Sequence, residues 1–113
     1  MDKPKRAGED AEVAPSPAEM LARIKHLAKD SVNVGFSDHA EERMEERGIT
    51  DLDALRVLRT GEISGLITPG KKEGEWKCKV TAPIKGRREV GVATLLIRNR
   101  RLRIKTVEWE DPR

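Results

Sequence analysis

The sequence predicts an α+β domain in which N-terminal helices pack on one face of an antiparallel meander sheet. Three observations carry this prediction. Apolar residues recur at helical spacing from residue 16 to about residue 61, the period then shifts to two or to unbroken apolar runs, and the later runs are separated by short turns. With 113 residues, 38% of them charged and 3% aromatic, the chain fits one small domain with a modest core, which excludes a two-domain enzyme.

The elements follow in order. Residues 1–15 read as a disordered tail, since they hold few large apolar side chains and show no period, and residues 16–113 form the single α+β domain. Ser16, Pro17 and Glu19 give an N-cap, a first-turn proline and a capping box. The helix they open carries Met20, Leu21, Ile24, Leu27 and Ala28 on one stripe and ends near Asp30. A brief extended piece over 32–36 leads to Ser37, the next N-cap, and a short helix over 38–47 stops at Gly48. Thr50 and Asp53 open a third helix, with Leu52, Leu55, Val57 and Leu58 as apolar positions and Gly61 as its stop.

Beyond Gly61 come Ile63, Leu66 and Ile67, a loop over 69–74, and three strands over 75–83, 89–98 and 102–109. Turns over 85–88 and 99–101 are short enough to make these neighbours antiparallel. The strand after 89 has little polar surface on either face, so it is expected at the centre, covered on both sides.

Composition excludes further classes. The longest apolar stretch, 90–97, is interrupted by Gly91 and Thr94 and falls far short of the ~18 residues that a membrane helix needs. The basic N-terminus runs into Ala7, Gly8, Glu9 and Asp10 rather than an apolar leader, so the chain reads as cytoplasmic. The single cysteine, Cys78, cannot form an internal disulfide, and with only two histidines a structural zinc site is not expected. No metal, cofactor or membrane partner is called for.

Charge is distributed unevenly. Residues 74–107 carry 10 basic and 2 acidic side chains, a balance of +8, whereas the whole chain has a net charge of +3. A basic block within predicted sheet favours a polyanionic partner such as RNA; a solvated basic surface is the plainer reading of the same pattern. Alternation places Lys77 and Lys79 on one face, opposite Trp76, Cys78, Val80 and Ala82. In the last strand it sets Arg103, Lys105, Val107 and Trp109 against Leu102, Ile104 and Thr106. If the aliphatic rows pack under the helices, Lys77, Lys79, Arg103 and Lys105 form a cationic platform on which Trp109 stacks a base. The alternative is a wet sheet face with Trp109 capping the core. Arg87 and Arg88 in one turn, and Arg98 at a strand end, belong to the same basic block.

The second helix is more specific. His39, Arg43 and Arg47 are successive i, i+4 neighbours, and both arginines fall within the buried arc defined by Phe36, Ala40 and Met44. Buried arginines must pair with acids, with Glu108 and Glu110 as candidates, or point into a cleft. A histidine beside arginines suits proton transfer next to a phosphate; a structural, hydrogen-bonded histidine is the competing reading.

The run from Phe36 to Ile49, with the stretch 53–62 after it, resembles an uncharacterised bacterial domain family with a His-Ala-x-x-Arg-Met-x-x-Arg-Gly signature. That family is toxin-like and is similar in its helix-then-sheet order to the RelE, BrnT and MqsR groups of ribonuclease toxins. The resemblance implies a RelE-like fold and metal-independent RNA cleavage within a toxin–antitoxin system. It also implies an acidic antitoxin-like protein partner. It casts His39 as acid or base, with Lys77, Lys79 and Lys105 as the other candidate catalytic groups. Arg43, Arg47, Arg87, Arg88, Arg98, Arg103 and Trp109 are the candidate RNA-binding residues. The chain departs from several such toxins in having no tyrosine, so cleavage would rest on His39 or on a lysine of depressed pKa. A noncatalytic RNA-binding or protein-interaction module using the same basic face is the alternative.

Overall fold

Local sequence signals set each helix boundary. In the computed structural model, which describes residues 13–84, 86 and 88–111, helix α1 spans Pro17–Ala28. Ser16 Oγ accepts the Glu19 N–H, and the Glu19 carboxylate accepts the Ser16 N–H at 2.9 Å, so two orphan donors of the first turn are satisfied. Its buried stripe is Met20, Ile24, Leu27 and Ala28. A 3-10 turn, Ser31–Asn33, leads into strand β1, Val34–Phe36. Helix α2, Asp38–Arg47, is capped by Ser37 and ends at Gly48, whose φ of 69° is the left-handed conformation that glycine adopts without strain. Helix α3, Asp51–Thr60, opens on the Thr50/Asp53 capping box. Residues 1–12 of the expected tail lie outside the described residues.

Strands β2 (Glu62–Pro69), β3 (Glu75–Pro83), β4 (Glu89–Ile97) and β5 (Arg101–Trp109) then run as an antiparallel meander. The five-stranded sheet has the order β1-β5-β4-β3-β2, which puts β4 at its centre as its apolar sequence predicts. One expectation is corrected: the sheet is mixed, because β1 pairs with β5 in parallel through Val34↔Leu102 and Phe36↔Ile104. The pairing closes part of the β5 edge and brings Val34 and Phe36 against the core. No hairpin turn links these two strands, so nothing local in the sequence announces their pairing.

The helices cover one face of the sheet. Trp76, Cys78, Val80 and Ala82 of β3, Val90, Val92 and Leu96 of β4, and Leu102, Ile104 and Val107 of β5 join Met20, Ile24, Met44, Val57 and Leu58 in a single cluster. Both faces of β4 are covered, as its apolar sequence predicts. On the second face Gly91 lies beneath the Glu110 and Lys79 side chains, and Leu95 is buried beside Gly70 of the β2–β3 loop.

Alternation in β5 changes phase midway, which corrects the face expected for Val107 and Trp109. Thr94 pairs with Ile104 but Ala93 pairs with Thr106, leaving Lys105 as the extra residue of a β-bulge. The bulge lies where β1 gives way to α2, and Ser37 clamps it: its N–H donates to Ile104 O at 3.0 Å and its Oγ donates to Lys105 O at 3.1 Å. Beyond it Val107 and Trp109 point to the core side, pairing with Val92 and Val90, while Thr106 and Glu108 move to the open face. Without the extra residue two apolar side chains would face water and a glutamate would face the core.

Candidate nucleic-acid interface

The helix-free face of the sheet is built in rows by strand register. One row runs Thr68, Lys77, Leu95, Arg103, Gly35 across β2, β3, β4, β5 and β1. With strands ~4.8 Å apart, the Lys77 and Arg103 backbones stand roughly 10 Å apart on either side of Leu95. Lys77, Arg101, Arg103 and Lys105 are exposed, and none has an ion pair among the described residues. Lys105 sits at the bulge rather than in a row.

The neighbouring rows differ. Ser64, Lys79, Ala93 and Thr106 form one, and Thr81, Gly91 and Glu108 the next. Lys79 Nζ donates to both carboxylate oxygens of Glu110 at 3.1 Å and reaches Glu108 Oε2 at 3.5 Å. Hydrogen bonding to Glu110 holds the Lys79 pKa above its usual value against a smaller opposing effect of burial. This is opposite to the depressed pKa that a lysine acting as a base would need. A Cβ added at Gly91 would collide with the Glu110 carboxylate and approach Lys79 Cδ to 2.9 Å, so glycine there makes room for the cluster.

Glu108 and Glu110 therefore meet Lys79 rather than the α2 arginines. Arg43 Nη1 pairs along its own helix with Glu46 at 2.7 Å. Arg47 Nη1 donates to Val107 O at 2.7 Å, satisfying a carbonyl of β5 beyond the end of β1. Trp109 Nε1–H in turn donates to Arg47 O at 3.0 Å, and the Arg88 guanidinium lies 3.9 Å from the Trp109 ring centroid while pairing with Asp111. Trp109 thus closes the core under Arg88 and is not a stacking surface on the basic face. His39 is exposed in the first turn of α2, two residues after the Ser37 clamp. Arg98 is exposed in the β4–β5 turn, and Arg87 lies outside the described residues.

The structure therefore groups Lys77 and Arg103 on the open face, with Lys105 at the nearby bulge, and ties Lys79, Arg88, Arg43 and Arg47 into internal contacts. Sequence reasoning missed the Lys79–Glu108–Glu110 cluster. Its signal was the apolar spacing 102, 104, 107, 109, which breaks strict alternation and marks a bulge. Burial pushes the Cys78 thiol up to about 12, as expected of an unreactive core residue. Among the described residues no group of His, Cys, Asp and Glu side chains is placed to hold a metal ion, and no helix is long and apolar enough to cross a membrane.

Comparison with curated proteins and with solved structures yields no significant match. A family model does match, over residues 36–109, from the last residue of β1 through the end of β5. It spans α2, the bulge, the open face and the Lys79 cluster, and by it the chain belongs to the family described as "Domain of unknown function (DUF4258)".

Proposed function

We propose that this domain binds RNA through the open face of its sheet, with Lys77 and Arg103 holding the phosphodiester backbone. The observation that carries the reading is the row Thr68–Lys77–Leu95–Arg103, in which two exposed cations without carboxylate partners among the described residues flank a low apolar floor. Cations already paired with acids gain little from a phosphate, because one ion pair is only exchanged for another. The unpaired ones release phosphate counterions on binding and contribute affinity.

Fluorescence anisotropy with a labelled RNA of roughly 20 nucleotides tests this, a length chosen to exceed the ~4–16 nucleotides that a compact fold commonly covers. Wild type should bind with an affinity that falls steeply with salt, and Lys77→Ala/Arg103→Ala should bind at least about tenfold more weakly with its fold intact. Equal binding by the two proteins would refute the assignment. Tight binding to an acidic antitoxin-like protein with none to RNA would turn the same surface into a protein interface.

A second reading, a metal-independent endoribonuclease of RelE-like type acting as a toxin, is favoured by one observation. Ser37 fastens the start of α2 to the strand that carries Arg103 and Lys105, and the exposed His39 follows Ser37 by two residues. In this reading His39 moves the proton and Lys105 or Lys77 stabilises charge on the phosphorane. RNA incubated with wild type and His39→Ala in EDTA decides it. Fragments from wild type alone support cleavage, and intact RNA with both proteins, under conditions where they bind it, removes it.

A further inference from the structure

We infer that the nucleic acid this surface takes is base-paired RNA, gripped through its phosphates and riboses at two places: the open-face row and the end of the sheet beside it. The inference rests on the RNA-binding reading and narrows it.

The first support is what the chain lacks for single strands. Proteins that hold single-stranded RNA stack its unpaired bases on aromatic rings. This chain has one Phe, two Trp and no Tyr, and all three side chains lie on the core side of the sheet. Phe36 packs against the core, Trp76 is 9% exposed, and Trp109 lies beneath Arg88 with its Nε1–H given to Arg47 O. No Phe or Trp ring therefore lies on the open face to receive a splayed base. A single strand bound here would lose chain entropy with guanidinium planes but no Phe, Tyr or Trp ring on this face to stack on, whereas in a duplex the phosphates are already ordered.

The second support is a built basic end. The β4–β5 turn places Arg98 and Asn99 in the left-handed region, with φ of 53° and 59°, a backbone that an arginine seldom adopts. Arg98 N–H donates to Gly74 O at 2.8 Å, and the Arg98 stem lies so close to Gly74 that an added Cβ would come 3.0 Å from its Cγ. The β4–β5 turn is thereby fixed to the β2–β3 loop. Between them they expose Lys71, Lys72, Arg98 and Arg100 against Glu73, and the half-buried Glu75 that opens β3 accepts the Lys72 N–H through Oε1. This end adjoins the Lys77–Arg103 row, since the next row out is Glu75, Ile97, Arg101. Two cationic surfaces meeting at the end of a rigid sheet fit the two phosphate strands bordering a groove. Thr68, in the row with Lys77, supplies a hydroxyl suited to a ribose 2′-OH.

The test compares the full chain on an RNA duplex of roughly 16 base pairs, the span known to suit shape-based duplex readers, with an unstructured single strand carrying the same number of phosphates. The proteins are wild type, Lys77→Ala/Arg103→Ala, and Arg98→Gly/Arg100→Ala, in which glycine keeps the left-handed turn while removing the cation. Wild type should prefer the duplex by about tenfold, and the turn variant should lose most of that preference, with a thermal melt showing that it remains folded. A single strand bound as tightly as the duplex by wild type, with both weakened by Lys77→Ala/Arg103→Ala, would overturn the duplex assignment and leave RNA binding standing. No binding to either RNA at low salt would overturn both.

Discussion

Lys77 and Lys79 stand two residues apart on one strand and one face, yet their surroundings are opposite. Lys77 faces Leu95 and the exposed Arg103 with no carboxylate partner among the described residues, while Lys79 faces Ala93 and is held by Glu108 and Glu110. The difference comes from the far side of the sheet: the bulge at Lys105 turns Glu108 to the open face. Before the bulge β5 contributes cations to that face, and after it acids. A basic stripe counted along one strand therefore splits into a half that is available to a polyanion and a half already neutralised within the protein.

Removing the tryptophan that the bulge turns inward should give the largest effect. Trp109→Ala is expected to destabilise the domain by about 3 kcal/mol, read by denaturant titration, because it empties a core site and frees the Arg47 carbonyl. Trp109→Phe should leave RNA affinity unchanged, and a loss there at constant stability would return the ring to the binding face.

Charge reversal sharpens the contrast between the two lysines. Lys77→Glu/Arg103→Glu should weaken RNA binding by roughly 50-fold with stability shifted by no more than about 0.5 kcal/mol. Lys79→Ala should do the converse, costing about 1 kcal/mol in stability with under about twofold change in affinity. In the reverse direction, Glu108→Gln/Glu110→Gln frees Lys79 and should raise RNA affinity about threefold at low salt. An unchanged affinity would mean that the paired half lies outside the RNA footprint altogether.

The smallest effect concerns pH. Because pairing raises the Lys79 pKa above its ordinary 10.5, the stabilisation it brings is complete below that value and fades only as pH climbs past it. The stability difference between wild type and Lys79→Met should thus be constant from about pH 7 to 9 and shrink only in strong alkali, followed by thermal melts.

The helices were legible because their signals are local. Ser16, Ser37 and Thr50 cap, Gly48 stops, and apolar residues fall at the right spacing. The meander and the central place of β4 followed from short turns and an apolar run. The pairing of β1 with β5 was not legible, since it joins segments that are distant along the chain. The site was half legible. Lys77, Lys79 and Arg103 do share a face, but which of them is available depends on a bulge and on acids brought across two strands. Arg47 shows the same limit. Its place in the buried arc was readable, whereas its partner, the Val107 carbonyl, exists only once β1 ends short.

The most direct test of the two-halves account is the slope of RNA affinity against salt concentration for wild type, Lys77→Ala/Arg103→Ala and Lys79→Ala. Single-stranded RNA contributes ~0.7 to the logarithmic slope for each phosphate neutralised. The slope on single-stranded RNA should be lower by about 1.4 in the double variant and unchanged in Lys79→Ala. A slope that drops in Lys79→Ala and holds in the double variant would contradict it.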